Sequence, residues 1–425
     1  MVHGRGGARV RLHRQGDRPV LAQGQLLSTT SVVVVSYRPT EWLGRCLESV
    51  VPQAGEVLVV DNGSPGGQAS RIAESCGARA LRLGRNVGFA GGVNAGVGAT
   101  TGDVVALLND DAVAGAGWIE ASVARLEDDT VAAVAPRVVL AGRYLEIRLG
   151  DDPFWVPGDA RPFGRRIEQA ELGGLDVLAE LVGAGIYGLE TADGGLATGG
   201  SQPPRWRWTA GRLPFYVPLP DGSGKVELRL NGELVRPMRV VDLTNSVGSY
   251  LRGDGYVGDI GADRPDDEHF DVAEERFALS GTAFVTRRET LQRVGGFETR
   301  FFAYYEDTDW CWRARLMGLR LLYEPSVQVR HVRGGTSGGV LSRRVRFYAE
   351  RNRLLTLVRN APLALAVRET WRKRIGGGDD GVAAVVSRIA PRAFGERVVL
   401  RRRWLLSARE VFDRWAGVDV PVANL

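Results

Sequence analysis

The hydrophobic positions fall into short runs that alternate between two periods. Ser31 to Ser36 reads S-V-V-V-V-S, a continuous β-branched run of the kind a strand takes when both faces of a parallel sheet are covered. Trp42 to Val50 then carries apolar residues at helical spacing, and Glu56 to Val60 is a second apolar strand, stopped by Asp61-Asn62-Gly63-Ser64. A short strand over Ala80 to Leu83, a glycine-rich turn and helix over Asn86 to Ala99, and a strand over Asp103 to Leu108 continue the alternation. The spacing predicts a further helix around Trp118 to Leu126 and a strand over Val131 to Leu140. Strand, helix, strand in this order opens a doubly wound α/β sheet.

The pattern changes at Gly142. From there to about Phe277 the chain is rich in Gly, Pro and aromatics and shows no helical period until late. Lys225 to Leu230 and Glu233 to Val240 flank Asn231-Gly232, a two-residue hairpin signal, with Pro237 suited to an edge strand. We read residues 142–276 as a β-rich insertion. The α/β pattern resumes with a strand over Leu279 to Thr286 and a helix around Thr290 to Val294. A helix begins near Tyr305 and covers Asp309 to Leu316, followed by a strand from Leu319 to Tyr323 and on to His331. Ser342 to the end reads as largely helical, broken by Gly376-Gly377-Gly378 and Pro391.

Charge adds an asymmetry. The net charge is +5, yet Leu341 to Leu425 alone holds 18 Lys and Arg against 8 Asp and Glu, which is +10 and leaves −5 for the rest. Such a tail could meet nucleic acid, an anionic membrane or an acidic partner, or form solvated helix faces. In the segments Arg343 to Arg359 and Arg397 to Arg414 arginines alternate with Leu, Val, Phe and Trp, which points to peripheral membrane contact. Nothing beyond charge supports nucleic acid. No stretch approaches the roughly 18 to 20 apolar residues that cross a bilayer. Met1 to Gly24 is basic without the apolar segment of a secretion signal, so a cytoplasmic location is expected. Cys46, Cys76 and Cys311 are odd in number and unpaired in spacing, which argues against disulfides and structural zinc.

Candidate chemistry sits where strands end. Asp110 and Asp111 close an apolar strand, and adjacent carboxylates there are costly without a cation; a metal-bound diphosphate and a solvated, capping turn are both open readings. Asp61 ends another strand, and ligands of open α/β sheets collect at such carboxyl ends. Glu306-Asp307-Thr308-Asp309 follows Phe301-Phe302-Ala303-Tyr304-Tyr305 and precedes Trp310-Cys311-Trp312. Acids at a helix start are ordinary caps, but acids so enclosed by aromatics suit a general base towards a hydroxyl. His331, just before Gly334-Gly335-Thr336, would make a workable Mn or Mg ligand beside carboxylates and phosphate oxygens. Gly84 to Asn94 holds glycines at a helix entrance, a weak anion-binding signal that matches no phosphate-loop fingerprint.

These residues resemble glycosyltransferase family 2, with its GT-A fold, and particularly its rhamnosyltransferase-like and actinobacterial-type members. The matching segments are S-V-V-V-V-S-Y at Ser31 to Tyr37, V-L-V-V-D-N-G-S at Val57 to Ser64, R-N-V-G-F-A-G-G-V-N at Arg85 to Asn94, L-L-N-D-D at Leu107 to Asp111, V-G-G-F-E-T-R-F-F-A-Y-Y-E-D-T-D-W at Val294 to Trp310, and V-R-H at Val329 to His331. The resemblance implies a Rossmann-like, mostly parallel sheet flanked by helices. Its division of the chain is an N-terminal extension at 1–30, a nucleotide-sugar half at 31–141, the insertion at 142–276, an acceptor half at 277–340 and the basic helical region at 341–425.

By the same resemblance Asp61 contacts the nucleotide base, and Asn86 and Asn94 line the donor pocket together with Ser36, Tyr37, Arg85, Gly88, Asn109 and Asp110. Asp111 ligates a divalent cation, Mg or Mn, and His331 completes that site. Asp307 is the catalytic base, with Glu306, Asp309 and Trp310 supporting it or reading the acceptor. The implied reaction is an inverting displacement that moves a sugar, rhamnose from a thymidine diphosphate donor first, to a cell-envelope or lipid-linked glycan. The acidic motif here is Asn109-Asp110-Asp111, where the family often has D-x-D or N-P-D, so the division of labour between the two aspartates is open. A nucleotidyltransferase would need a basic fingerprint near the first strand, and Tyr37-Arg38-Pro39 offers one basic residue. A non-catalytic carbohydrate-binding or scaffold protein on a degenerate GT-A fold is the alternative; Asp111, Asp307 and His331 are all filled, which speaks against it.

Overall fold

The computed structural model describes residues 30–159, 161–191, 205–220, 226–332, 343–376 and 381–421. The expectations for Met1 to Gly24, Lys225 and Gly334-Gly335-Thr336 lie outside them. Thr30–Ser36 (β1) is buried along its whole length, with Val32 and Val34 in one core and Val33 and Val35 in the other. Cover on both faces is the reason its run is uninterrupted by polar residues. Trp42–Val50 (α1) lays Leu43, Cys46, Leu47 and Val50 on the first face. Then follow Glu56–Asp61 (β2), Gln68–Ser75 (α2), Arg79–Arg82 (β3), Gly88–Ala99 (α3), Val104–Asn109 (β4), Ala112–Ala114 (β5), Trp118–Arg125 (α4) and the fully buried Val131–Leu140 (β6).

After β6 the chain leaves the sheet. Arg143–Ile147 (β7) and Phe215–Leu219 (β8) pair antiparallel, and Ile147, Ile167, Leu172, Phe215, Val217, Leu228 and Leu230 form a separate small core. The hairpin strands are Leu228–Leu230 and Glu233–Val235, turning through Asn231 and Gly232, both at positive φ. The second strand stops at Val235, short of the expected Val240: after Pro237 the chain crosses over, and Arg239–Val241 pairs with β7 instead. Thr244–Ser246 (β9) rejoins the main sheet against β6, and Leu251, Val257 and Phe277 belong to the main core. The excursion with its own core therefore ends near Leu243, ahead of the boundary expected at 276.

The second half adds Glu274–Glu275 (β10), Ala283–Arg287 (β11), Arg288–Val294 (α5), Glu306–Leu316 (α6) and Arg320–His331 (β12). Ten strands form one sheet in the order β10-β12-β6-β11-β4-β1-β2-β3, with β9 beside β6 and β5 beside β12. The strands β1 to β4 run parallel, and β11 inserts antiparallel between β4 and β6.

Among the described residues four helices follow: Arg343–Asn360 (α7), Leu363–Ile375 (α8), Val382–Leu400 (α9) and Ala408–Trp415 (α10), the last opened by a Ser407–Glu410 capping box. Pro391 does not break the helix it was expected to end; α9 runs through it. Flanking packing overrides the lost hydrogen bond: Ala393 sits against Phe301 and Leu355, and Arg397 donates to the carbonyls of Val358 and Ala361. In the segment Arg343 to Arg359, for which membrane contact was expected, Arg344 and Arg346 are exposed but the later turns face inward. Leu354 and Leu357 enter the main core, while Arg351, Arg353 and Arg359 reach inward to Phe301 O, Asp254 O and Asp309. Among the described residues no helix is long and apolar enough to cross a membrane, and all three cysteines are free thiols.

Candidate active site

Register brings the acidic strand ends level. Ser36 lies opposite Asp61, and Val35 opposite Asn109. Ser36 Oγ donates to Asp110 Oδ2 at 2.6 Å, both residues being buried. Burial pushes the Asp110 carboxyl up to about 7, with the neighbouring Asp111 charge adding to it and the Ser36 bond opposing. Asp111 turns away from its neighbour, and its Oδ1 lies 3.2 Å from His331 Nε2. The pairing of β5 with the end of β12, Ala112 opposite His331, is what carries the imidazole to the acids.

His331 is gripped from the other side by Asn245, on β9, whose Oδ1 lies 2.7 Å from Nδ1. An imidazole that donates from Nδ1 to this amide oxygen leaves Nε2 aimed at Asp111. Among the described residues no three His, Cys, Asp or Glu side chains gather as a complete ligand set. A convergent carboxylate and imidazole nonetheless fit a divalent ion that shares its coordination with phosphate oxygens and water.

Asp307, at the start of α6, is half-buried, and its two oxygens are held separately. Oδ2 accepts from Gly281 N at 2.7 Å, and Oδ1 accepts from Thr308 N at 2.6 Å and from Thr308 Oγ1 at 3.3 Å, which leaves a free lone pair on Oδ2. Burial raises its pKa against these donors. The loop that supplies Gly281 also ties the two acidic groups together, because Thr282 O accepts from Asn109 N at 2.9 Å. A side chain at Gly281 would press on the Asp307 carboxylate. Glu306 is more deeply buried, its Oε2 finds no partner among the described residues, and burial followed by the nearby Asp307 charge pushes it up to about 8.

The turn before these acids is strained. Phe302, Tyr304 and Tyr305 all take positive φ, which bulky residues rarely adopt. A single buried amide holds it: Asn352 Nδ2, on α7, donates to Ala303 O at 2.8 Å and Tyr304 O at 2.7 Å and also reaches Phe301 O. Gly88 meets the same turn, since Phe89 N donates to Phe302 O at 2.6 Å and a Cβ at Gly88 would collide with Phe302.

Several expected site residues have inward roles instead. Asp309 is fully buried, with Oδ2 on Arg313 and Oδ1 on Arg359 and Asn360, and no lone pair is turned towards an acceptor. Trp310 is fully buried and stacks on Phe297. Asn94 is half-buried and latches both backbone groups of Phe297 at 2.8 and 2.9 Å. Asp61 is buried and caps the following turn, accepting from Ser64 N and from Ser70 N and Oγ, and these bonds lower its pKa against the effect of burial. Asn86 Oδ1 accepts from Gly88 N and from Asn62 Nδ2, while Arg85 is exposed and Tyr37 half-buried under Arg38. The glycine-rich turn is thus organised by Asn62, whose Oδ1 takes Val87 N and whose amide reaches Gly88 O.

Asn62, Gly281, Asn245 and Asn352 were not singled out from sequence. Asn62 sits inside the D-N-G-S turn, where its side chain was the available signal. Asn352 is an Asn within an Arg- and Leu-rich helix, a residue poorly suited to helix interiors unless it is bonded elsewhere. Asn245 and Gly281 carry no local signal, since their partners are distant in sequence.

Residues 31–172 match the family model described as glycosyl transferase family 2. The chain is 38% identical over 60 residues, 14% of its length, to the N-acetylglucosaminyl-diphospho-decaprenol L-rhamnosyltransferase of Mycobacterium tuberculosis. It is also 38% identical over 85 residues, 20% of its length, to the pre-mycofactocin glycosyltransferase of that organism. It spans about a fifth of the length of these relatives, 20% and 18%. The crystal structure of GalNAc-T7 with UDP, GalNAc and Mn2+ superposes with a TM-score of 0.51 at 12% identity, over 90% of this chain and 56% of that one. That likeness is one of fold, and the fold is GT-A.

Proposed function

We propose, from the premise that the chain carries a glycosyltransferase family 2 domain on a GT-A fold, that it moves a sugar from a nucleoside diphosphate donor to a glycan hydroxyl with inversion. The observation that carries this reading is the convergence of Asp111 and His331, together with the loop joining Asn109 to the Asp307 carboxylate. The relatives named for rhamnosyl and glycosyl transfer support rhamnose from a thymidine diphosphate donor as the first choice, and a cell-envelope or lipid-linked glycan as acceptor. The cytoplasmic face of a membrane is the location that suits such an acceptor.

Asp111 Oδ1 and His331 Nε2 would hold the cation, Mg or Mn, which when bound supplies charge neutralisation at the leaving diphosphate. Asn245 keeps the imidazole turned so that Nε2 is the donor. Asp307 takes the proton from the attacking acceptor hydroxyl, and its raised pKa makes it a stronger base than an exposed aspartate. Gly281 N–H, with the Thr308 N–H and hydroxyl, fixes the carboxylate so that the free lone pair is on Oδ2, which serves orientation as much as basicity. Glu306, carrying a proton near neutrality, spares Asp307 a second adjacent charge.

The test is a binding and hydrolysis screen of purified protein against thymidine, uridine and guanosine diphosphate sugars, with and without Mn, beside Asp111→Ala. Metal-dependent selection of one donor, lost in the variant, is the expected result. Failure to bind any donor would replace this reading with that of a non-catalytic scaffold.

A further inference from the structure

The helix α8 is turned inside out relative to an ordinary surface helix. Its buried side is built from Leu365, Ala366 and Glu369, while Leu363, Val367, Trp371 and Ile375 are 45%, 67%, 60% and 65% exposed. These four recur every fourth residue and so form one stripe along the outer face. Surface helices place apolar residues towards the core, and an outward stripe that includes a Trp and two β-branched residues marks a face awaiting an apolar environment.

The polar residues of the same helix say what that environment is. Arg368, Arg372, Lys373 and Arg374 flank the stripe, and the one acid in the helix, Glu369, is buried beneath Arg368 and Arg372. The side chains of Arg368 and Arg372 are still 55% and 66% exposed. The neighbouring helix α9 exposes Phe394, Val398 and Val399, and Arg392, Arg401, Arg402 and Arg403 lie exposed on it and just beyond its end. A second copy of the chain docked face to face would bring each cation set against its duplicate, which opposes a symmetric dimer. A folded protein partner would have to supply carboxylates at fixed positions, whereas anionic headgroups meet cations in any register around an inserted apolar stripe.

We propose that the outer face of α8 docks on an anionic phospholipid bilayer, with Val367, Trp371 and Ile375 entering the interface and the flanking Arg and Lys side chains at headgroup level. The inference goes beyond the transferase reading and does not depend on it, because membrane binding is measured without donor or acceptor. It also differs from the arrangement read from sequence, since Arg351, Arg353 and Arg359 of α7 turn inward and α8 supplies the apolar surface.

Flotation of the full chain with vesicles of phosphatidylcholine, with and without phosphatidylglycerol, tests it. The wild-type chain is expected to float with the anionic vesicles and to stay down with phosphatidylcholine alone. Replacing Val367, Trp371 and Ile375 together by Ser, at exposed positions that leave the thermal melt unchanged, should reduce partitioning by more than about tenfold. Lys373→Gln with Arg374→Gln should weaken binding to anionic vesicles and narrow the difference between the two compositions. Flotation of the triple variant like the wild type, equal binding to both vesicle types, or vesicle-free dimerisation abolished by the triple variant would each overturn the proposal.

Discussion

Asn245 Oδ1 stands 2.7 Å from His331 Nδ1, and through that bond a residue just past the β-rich excursion orients an imidazole at the far end of β12. Without it the ring is free to rotate or change tautomer, and Nε2 no longer points steadily at Asp111. Replacing such an orienting partner at a metal ligand costs about 10- to 100-fold in affinity or activity. Asn245→Ala is therefore expected to weaken Mn binding by that order, as measured by calorimetry, with little change in thermal stability. Asn245→Asp, which keeps an acceptor at Nδ1, should recover most of the loss. Equal damage from both substitutions would show that packing, not the bond to Nδ1, is what matters.

The Asp307 carboxylate gives the reaction its expected pH dependence. Burial holds its pKa above the ordinary aspartate value, and the proposed base must be ionised to act, so the rate should rise with pH through that raised pKa. The acid limb of kcat/KM then lies above the range in which an exposed aspartate titrates. Asp307→Asn should lower kcat by about 10²- to 10⁴-fold while donor affinity stays within a few-fold. A variant that loses donor binding instead would move Asp307 from proton transfer to donor recognition.

What could be read from the chain followed from local physics. The run Val32 to Val35 betrays a strand covered on both faces, and the limits of α1 and β6 agree with their hydrophobic periods residue for residue. The candidate acids stand out in the sequence where they end strands, at Asp110 and Asp111, and where they open a helix after aromatics, at Glu306 and Asp307. What stayed hidden depends on tertiary partners. Asp309 and Asp307 stand two residues apart and look alike in sequence, but the helical turn sends Asp309 into Arg313 and Arg359 while Asp307 meets the loop at Gly281. In the same way Arg351, Arg353 and Arg359 of α7 suggested a surface and are internal ties. Pro391 promised a helix end that packing did not permit.

Asn352 offers a test of whether the strained turn matters to catalysis. Its amide is the donor shared by the carbonyls of Ala303 and Tyr304, and the positive φ angles of Phe302, Tyr304 and Tyr305 are maintained against a cost of about 1–3 kcal/mol each. Asn352→Leu keeps the approximate volume and removes the donor, leaving buried carbonyls unpaired. The expected result is a loss of about 1–3 kcal/mol in unfolding free energy by urea titration, with a fall in kcat larger than any change in donor affinity. A stability loss without any kinetic change would show that the turn finds its shape by other means.

Asp309 is expected to stand apart from the chemistry and to serve stability. The carboxylate is fully buried, and although burial opposes ionisation, Arg359 and Arg313 hold its pKa at about 2. A folded-state pKa below the unfolded value, 3.8 for an aspartate, contributes stability that is complete above that value and is lost as pH falls towards about 2. Asp309→Asn removes the carboxylate paired with the buried Arg313 and leaves Arg359 to Glu298 and Glu396, and breaking such a buried pair costs about 3–5 kcal/mol near neutrality. The wild-type advantage should then shrink as pH falls through this window, because the wild-type carboxylate is itself being protonated. Urea titrations of both proteins near neutral pH and at about pH 3 measure it directly. A deficit of the same size at both pH values would show that shape and hydrogen bonding, not the charge on Asp309, carry its contribution; a normal melt with a raised acceptor KM would return the residue to acceptor binding.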